Sequence, residues 1–100
     1  MKSVKFNKNE LKILCAQHEV ENLYLFGSSV TEKFHKESDI DVLVNFKVND
    51  LYNYFNNYLS FKEKLSLLFR RKIDLVEEQS LKNPILINSI KKTKQIVFLS

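Results

Sequence analysis

Apolar residues recur along the chain with two different periods, which predict helices alternating with strands. Helical spacing is present in three segments: NKNELKILCAQH, LYNYFNNYLSFKEKLSLLFRR and NPILINSIKK. Short apolar or alternating runs, which are typical of strands, form four segments: NLYLF, DIDVLVNF, KIDLVEE and QIVFL. SSVTEKF predicts a brief helix, and HKES predicts a polar turn. The predicted order is α-β-α-β-α-β-α, with QIVFL as a candidate closing strand at the sheet edge.

This order predicts an α/β (α+β) fold, in which helices flank a small mixed β-sheet of three to four strands. Asn7 can cap the first helix, with Glu10 completing a capping-box pattern, and Pro84 suits the first turn of the last helix. The 100 residues contain no repeat or linker, and 44% are hydrophobic and 28% charged. We therefore expect one compact domain over residues 1–100.

Several classes of protein are disfavoured by composition. No run approaches the roughly 18 to 20 apolar residues that span a bilayer, and the N-terminus lacks the apolar core of a secretory signal. The single cysteine, Cys15, lies among helix-type apolar residues, which indicates a buried thiol in a cytoplasmic protein. The net charge of +4 is spread over three segments, which favours solvated helix faces over direct nucleic-acid binding.

The only glycine of the chain, Gly27, follows the predicted strand NLYLF and precedes Ser28 and Ser29. Average domains contain about 7% glycine, so its position here is informative. A residue without Cβ is needed where the backbone takes unusual dihedrals or a ligand approaches closely. Backbone N–H groups and hydroxyls at this turn would suit a phosphate. The alternative is a plain strand-to-helix turn with Ser28 as N-cap.

Two acids, Asp39 and Asp41, open the strand DIDVLVNF. Residues i and i+2 of a strand point to the same face, with Cα atoms about 7 Å apart. Two ionised carboxylates so close repel each other unless a cation lies between them, and magnesium prefers such hard oxygen ligands. The alternative is a hydrated turn whose acids face water or pair with Lys33 or Lys36.

A third acid, Asp74, lies between Ile73 and Leu75 in the predicted strand KIDLVEE. If this strand neighbours the strand that carries the acid pair, all three carboxylates can converge. The alternative is an edge residue that faces solvent and pairs with Arg70 or Lys72.

Together these residues predict phosphoryl chemistry with two metal ions about 3.5 to 4 Å apart. Asp74 is expected to hold the ion nearer the nucleophile and to accept the proton of an attacking hydroxyl. The second ion and the Gly27–Ser29 turn are expected to hold a pyrophosphate leaving group. The chain contains neither a GxxxxGK[ST] phosphate loop nor a GxGxxG turn.

The segment GSSVTEKFHKESDID fits the GSx10DxD signature of the polymerase-β-like nucleotidyltransferase superfamily. LYLFGS before it, DVLV after it and KIDLV with the third acid match in order as well. The chain resembles the minimal, MNT-type branch, whose members are usually encoded beside a HEPN-domain protein. Members transfer a nucleoside monophosphate, commonly AMP from ATP, to a hydroxyl. Minimal members paired with HEPN toxins act as antitoxins by adenylylating a toxin tyrosine.

By position, the resemblance implies that Gly27 and Ser28 bind the triphosphate of ATP or another NTP. Asp39 and Asp41 are expected to ligate both Mg²⁺ ions, and Asp74 to complete the metal site and act as base. The chain departs from the family at Ser29 and Thr31, where many members have arginines; the nearest cation is Lys33. A guanidinium binds phosphate more strongly than a hydroxyl does, so this departure indicates weaker nucleotide binding or turnover.

The departure leaves a second hypothesis open, a binding-only antitoxin that masks its partner. The retained acids oppose it, because a masking protein has no need of clustered like charges. A third hypothesis, transfer to a small molecule such as an aminoglycoside, normally requires a helical second domain. The acceptor, the preferred base and a homo- or hetero-oligomeric state are left open.

Two groups of residues have no assigned chemistry at this point. The histidines, His18 and His35, are interpreted as surface or packing residues rather than as ligands. The aromatic residues of the long helix exceed what one core stripe requires, which is compatible with a partner surface or with packing against the sheet: Tyr52, Tyr54, Phe55 and Tyr58.

Overall fold

The computed structural model describes residues 6–30, 39–47 and 52–100. Its helices are α1 (Lys8–Gln17), α2 (Tyr54–Phe69) and α3 (Pro84–Thr93). Its strands are β1 (Val20–Phe26), β2 (Ile40–Phe46), β3 (Ile73–Glu77) and β4 (Gln95–Leu99). Two 3-10 turns, Gly27–Val30 and Glu78–Ser80, follow β1 and β3.

The helix starts follow from local capping. The side chain of Asn7 accepts hydrogen bonds from the backbone N–H groups of Asn9 and Glu10, so the predicted N-cap of α1 is confirmed. Asn83 caps α3 in the same way, and Pro84 occupies its first turn as expected. Both caps satisfy backbone donors that have no partner within the helix.

Two predicted boundaries differ from the structure. β1 begins at Val20 rather than at Asn22, because Val20 is buried and pairs with Phe46 of β2. The predicted long helix spans only Tyr54–Phe69. The 3-10 turn Gly27–Val30 covers the start of the predicted brief helix SSVTEKF; residues 31–38, which include the rest of that segment and the predicted turn HKES, lie outside the described part.

The four strands form one mixed sheet in the order β3-β2-β1-β4. β1 is antiparallel to both β2 and β4, whereas β2 and β3 are parallel. The predicted small mixed sheet with flanking helices is confirmed, and β4 is an edge strand as expected. The two central strands therefore position the candidate site: β1 ends directly before Gly27, and β2 begins between Asp39 and Asp41.

The two faces of the sheet have different partners. Residues of one face pack with α1 and α2 in the main core: Val20, Leu23, Leu25, Ile40, Val42, Val44, Ile73 and Leu75. On the opposite face, Phe26 and Leu43 pack with Ile90 of α3. Successive residues of a strand point to opposite faces of the sheet. In β2 and in β3, each residue that lies between two main-core residues therefore points toward α3.

The isolated cysteine and one histidine are packing residues. Cys15 is buried in the main core, and burial raises the pKa of its thiol to about 12, so the thiol is not reactive at neutral pH. His18 is also buried: its Nδ1 lies 2.8 Å from the Leu14 carbonyl oxygen and its Nε2 lies 3.2 Å from Ser60 Oγ. Over residues 6–30, 39–47 and 52–100, no helix combines the length and apolarity needed to cross a membrane.

Helix α2 ends at Arg70, whose φ of 56° lies in the left-handed region that usually favours glycine. We expect Arg70→Gly to raise the free energy of unfolding by about 0.5–1 kcal/mol, because relief of this strain exceeds the added chain entropy. Urea denaturation measures the change. Arg70→Ala is the matched control, since it removes the side chain but keeps the strain. A stability gain as large for alanine as for glycine contradicts the backbone explanation.

Candidate active site

Two of the three predicted acids are direct neighbours across the sheet. The parallel pairing of β2 and β3 makes Asp41 and Asp74 Cα partners, and adjacent strands lie about 4.8 Å apart. Both side chains point away from the main core, because Val42 and Leu75, the next residues of each strand, fill it. The strand order on which the predicted convergence of the acids depended is therefore present in the fold.

Asp39 completes the acidic group just before the first residue of β2. It is exposed, and it lies two positions before Asp41. The charges of Asp74 and Asp39 both act on the carboxyl of Asp41. All three acids therefore lie in one neighbourhood on the α3 side of the sheet.

The electrostatics of Asp41 reflect its surroundings. Burial, which is the largest cause, and the charges of Asp74 and Asp39 together raise the pKa of Asp41 to about 6. Asp41 is half-buried, whereas Asp74 and Asp39 are exposed. The charged form of Asp41 is thus disfavoured by desolvation first and by like charge second.

Gly27 lies in close contact with the carboxylate of Asp41. It follows Phe26, the Cα partner of Asp41 in the antiparallel ladder, and has a φ of 62°. A Cβ built on Gly27 would lie 2.7 Å from Asp41 Oδ2, closer than such atoms approach in proteins. The glycine is therefore required for two reasons: the left-handed backbone and the contact with Asp41.

The Gly27 turn is held on its other side by α3. The backbone N–H of Gly27 donates to Thr93 Oγ1 at 2.9 Å, and the same hydroxyl donates to the Ser89 carbonyl oxygen at 2.7 Å. Sequence reasoning missed Thr93, which lies 66 positions from Gly27. No local signal could have found it, because the contact depends on how α3 packs beside β1.

The other predicted phosphate-binding residues are only partly described. The backbones of Ser28 and Ser29 form the middle of the 3-10 turn, but their side chains lie outside the described part of the structure. Thr31 and Lys33, which bear on the departure from the family pattern, also lie outside it, as does His35. The expected contacts of Ser28 and Ser29 with a triphosphate stay predictions.

The carboxylates of the three acids are near one another but are not arranged around a single point. Within residues 6–30, 39–47 and 52–100, no three acidic, histidine or cysteine side chains are grouped to hold a metal ion together. Like charges repel one another, which agrees with carboxylates that share a neighbourhood without meeting. The donor set nevertheless fits Mg²⁺, because hard carboxylate oxygens are its preferred protein ligands and a cation relieves the charge on Asp41.

Comparisons with known proteins agree with this geometry. A family model described as a nucleotidyltransferase domain matches residues 8–97. The protein MJ1379 of Methanocaldococcus jannaschii, provisionally named a protein adenylyltransferase, is 37% identical over 81 residues, which cover 81% of this chain and 80% of that protein.

Two solved structures share the fold. A protein provisionally described as a minimal nucleotidyltransferase superposes with a TM-score of 0.70 and 25% identity, covering 88% of this chain and 86% of that chain. The second structure is described as a tri-AMPylated Shewanella oneidensis HEPN toxin in complex with MNT antitoxin. The matching chain has a TM-score of 0.59 and 18% identity, with 93% of this chain and 70% of that chain covered.

The chain belongs to the nucleotidyltransferase domain family. The resemblance to its minimal, MNT-type branch is confirmed, and so is the fold that this resemblance implied. The chain is accordingly a nucleotidyltransferase, and its general substrate is a nucleotide.

We expect Gly27→Ala to disturb the site more than it disturbs the fold. The left-handed backbone costs about 1 kcal/mol with alanine, whereas the terminal carboxylate of Asp41 can rotate away from the new methyl group. Urea denaturation should show that modest loss, while affinity for Mg²⁺–ATP, measured by calorimetry, should fall at least tenfold. Unchanged nucleotide affinity contradicts the importance of the Gly27–Asp41 contact.

The raised pKa of Asp41 predicts that its charge destabilises the folded protein. In the folded state the carboxyl binds its proton more tightly than in the unfolded chain, so stability falls as pH rises from about 3.8 to about 6. In metal-free buffer at pH 7.5, Asp41→Asn should therefore raise the free energy of unfolding by about 1 kcal/mol, after allowance for solvent screening. The gain should shrink toward pH 4.

Glu63→Gln provides the control for this effect, because Glu63 is an exposed acid of α2 on the opposite side of the sheet. We expect no comparable gain for it at either pH. An Asp41→Asn protein that is less stable than the wild type at pH 7.5 contradicts the electrostatic account.

Proposed function

We propose that the protein is a Mg²⁺-dependent nucleotidyltransferase that transfers AMP, or another NMP, from an NTP to a hydroxyl acceptor. The observation that carries this proposal is the meeting of Gly27, Asp41 and Asp74 across β1, β2 and β3. A GSx10DxD spacing alone could occur in an unrelated turn. In this fold, the second acid of the pattern, Asp41, lies against Gly27, and Asp74 of the neighbouring strand lies beside it.

The residues have distinct roles in the proposed reaction. Asp39, Asp41 and Asp74 would hold Mg²⁺, which would neutralise charge on the triphosphate. Asp74 is exposed, so an acceptor hydroxyl can approach it and transfer its proton to the carboxylate. The acceptor oxygen forms a bond to the α-phosphorus, and the bond from that phosphorus to the bridging oxygen of the β-phosphate breaks. Pyrophosphate leaves along the Gly27–Ser29 turn.

The acceptor in this proposal is a tyrosine of a HEPN-type partner toxin, which would make the chain an antitoxin. The name of the Methanocaldococcus jannaschii relative supports a protein acceptor, and the AMPylated toxin in the Shewanella oneidensis complex supports a HEPN partner. The aromatic hydroxyl of tyrosine is chemically suited, since its pKa of about 10 is lower than that of an aliphatic hydroxyl and a carboxylate base can remove its proton more readily.

The long helix α2 offers a surface for such a partner. Tyr54 and Tyr58 pack inward, where their hydroxyls donate to Glu77 and to the Leu75 carbonyl oxygen. Tyr52 and Phe55 point outward and are 92% and 68% exposed, and Leu67 further along α2 is 73% exposed. Tyr54 and Tyr58 thus pack against the sheet, whereas Tyr52, just before α2, and Phe55 are exposed, as a partner surface requires. Exposed aromatic side chains of this kind are enriched at protein interfaces.

A second candidate function is an antitoxin that neutralises its partner by binding alone. The exposed apolar residues of α2 and the absence of arginine at positions 29 and 31 favour it. The acidic cluster opposes it, because the charge on Asp41 is unfavourable in the absence of a cation and serves no purpose in masking.

The deciding experiment is intact-mass analysis of the partner candidate, the product of the gene next to that of this chain, after incubation with this protein, ATP and Mg²⁺. We expect the partner to gain one or more AMP units, and EDTA to abolish the gain. Asp39→Asn, Asp41→Asn and Asp74→Asn should each lower the rate at least a hundredfold, because each removes a negative metal ligand.

Glu63→Gln is the matched control and should keep the full rate at saturating partner concentration, since Glu63 lies on the other side of the sheet from the acids. Complex formation with the partner distinguishes the two candidate functions. A wild-type protein that binds the partner but transfers no AMP contradicts the enzymatic proposal and supports masking.

A further inference from the structure

The hydroxyl of Thr93 connects the last residue of α3 to the candidate active site. Its oxygen accepts the Gly27 N–H at 2.9 Å, and its hydrogen is donated to the Ser89 carbonyl oxygen at 2.7 Å. A hydroxyl has one donor and two acceptor positions. Because Ser89 takes the single hydrogen, the lone pairs of the oxygen are turned toward Gly27.

We infer that Thr93 is a positioning residue for nucleotide binding, which acts by fixing the backbone of the Gly27 turn. This inference rests on the proposed function. Gly27 contacts Asp41 on one side and Thr93 on the other, so the turn is held between the acidic cluster and α3. Loss of the Thr93 hydroxyl leaves the Gly27 amide without this acceptor and lets the turn shift away from Asp41.

The contact also limits what Gly27 itself can do. A backbone amide has one hydrogen, and that of Gly27 is directed at Thr93. Gly27 therefore shapes the turn and admits Asp41, rather than donating its N–H to a phosphate. Contacts of the turn backbone with a triphosphate begin at Ser28.

A requirement of helix packing alone would be met by any residue of similar shape. Valine has nearly the shape of threonine but can neither accept the Gly27 N–H nor donate to Ser89. Serine keeps the hydroxyl and loses only the methyl group. Thr93→Val and Thr93→Ser therefore separate the hydrogen bond from the packing of α3.

The chain contains one glycine, so labelling with ¹⁵N-glycine gives a single amide signal that reports on Gly27 directly. We expect hydrogen exchange of this amide to accelerate at least tenfold in Thr93→Val and to stay within twofold of wild type in Thr93→Ser. Equal exchange rates in all three proteins would show that the Thr93 hydroxyl does not bind the Gly27 N–H. If Thr93→Val does not fold, an unprotected Gly27 amide in the wild type has the same meaning.

Nucleotide binding tests the positioning role on the same proteins. Loss of one hydrogen bond is expected to raise the apparent Kd for Mg²⁺–ATP, and the KM for ATP, about fivefold in Thr93→Val. Thr93→Ser should match the wild type, and the KM for the acceptor protein should not change. Faster amide exchange with unchanged ATP binding overturns the positioning role. A wild type that binds no ATP refutes the proposed function itself, while the exchange data still decide the contact.

Discussion

The carboxylate of Asp41 lies where β1, β2 and β3 meet, and most of the site depends on its position. It is half-buried, it faces two other acids, and one of its oxygens occupies the space where any other residue at position 27 would place a Cβ. Such a group is unfavourable for folding, because burial and like charge both oppose its ionised form. The surrounding fold holds it there through the strand pairings and the main core.

One face of the sheet carries the main core, and the other face carries the acids of the candidate site. On one face, α1 and α2 cover the main core, which includes Ile40 and Val42 on either side of Asp41. On the other face, α3 packs through Ile90 on Phe26 and Leu43 and reaches the Gly27 turn through its last residue. A substitution at the site can therefore alter charge or turn geometry without opening the main core. The exposed residues of α2 lie on the far side of the sheet from the acids.

Much of the fold could be predicted from the sequence, because its signals are local. Helical periodicity, the cap Asn7, the place of Pro84 in the first turn of α3, and the alternation in β2 each follow from nearby residues. The long GSx10DxD pattern indicated the family, and the grouping of Asp74 with the acid pair followed once β3 was placed beside β2.

The remaining features depend on contacts between distant segments. The early start of β1 at Val20 reflects pairing with Phe46, and the left-handed end of α2 at Arg70 was hidden because arginine rarely adopts it. The link from Thr93 to Gly27 depends on the packing of α3, which no residue near either position indicates. These features required the three-dimensional structure.

We expect a divalent cation to bind in the neighbourhood that Asp39, Asp41 and Asp74 share beside the Gly27 turn. Mn²⁺ can replace Mg²⁺ as a paramagnetic probe, in the presence of a non-hydrolysable ATP analogue, and its broadening of ¹⁵N amide signals locates the ion. The signals of Gly27, Asp41 and Asp74 should broaden first, and Asp41→Asn should abolish the effect. Broadening centred elsewhere, or unchanged in Asp41→Asn, would contradict this expectation.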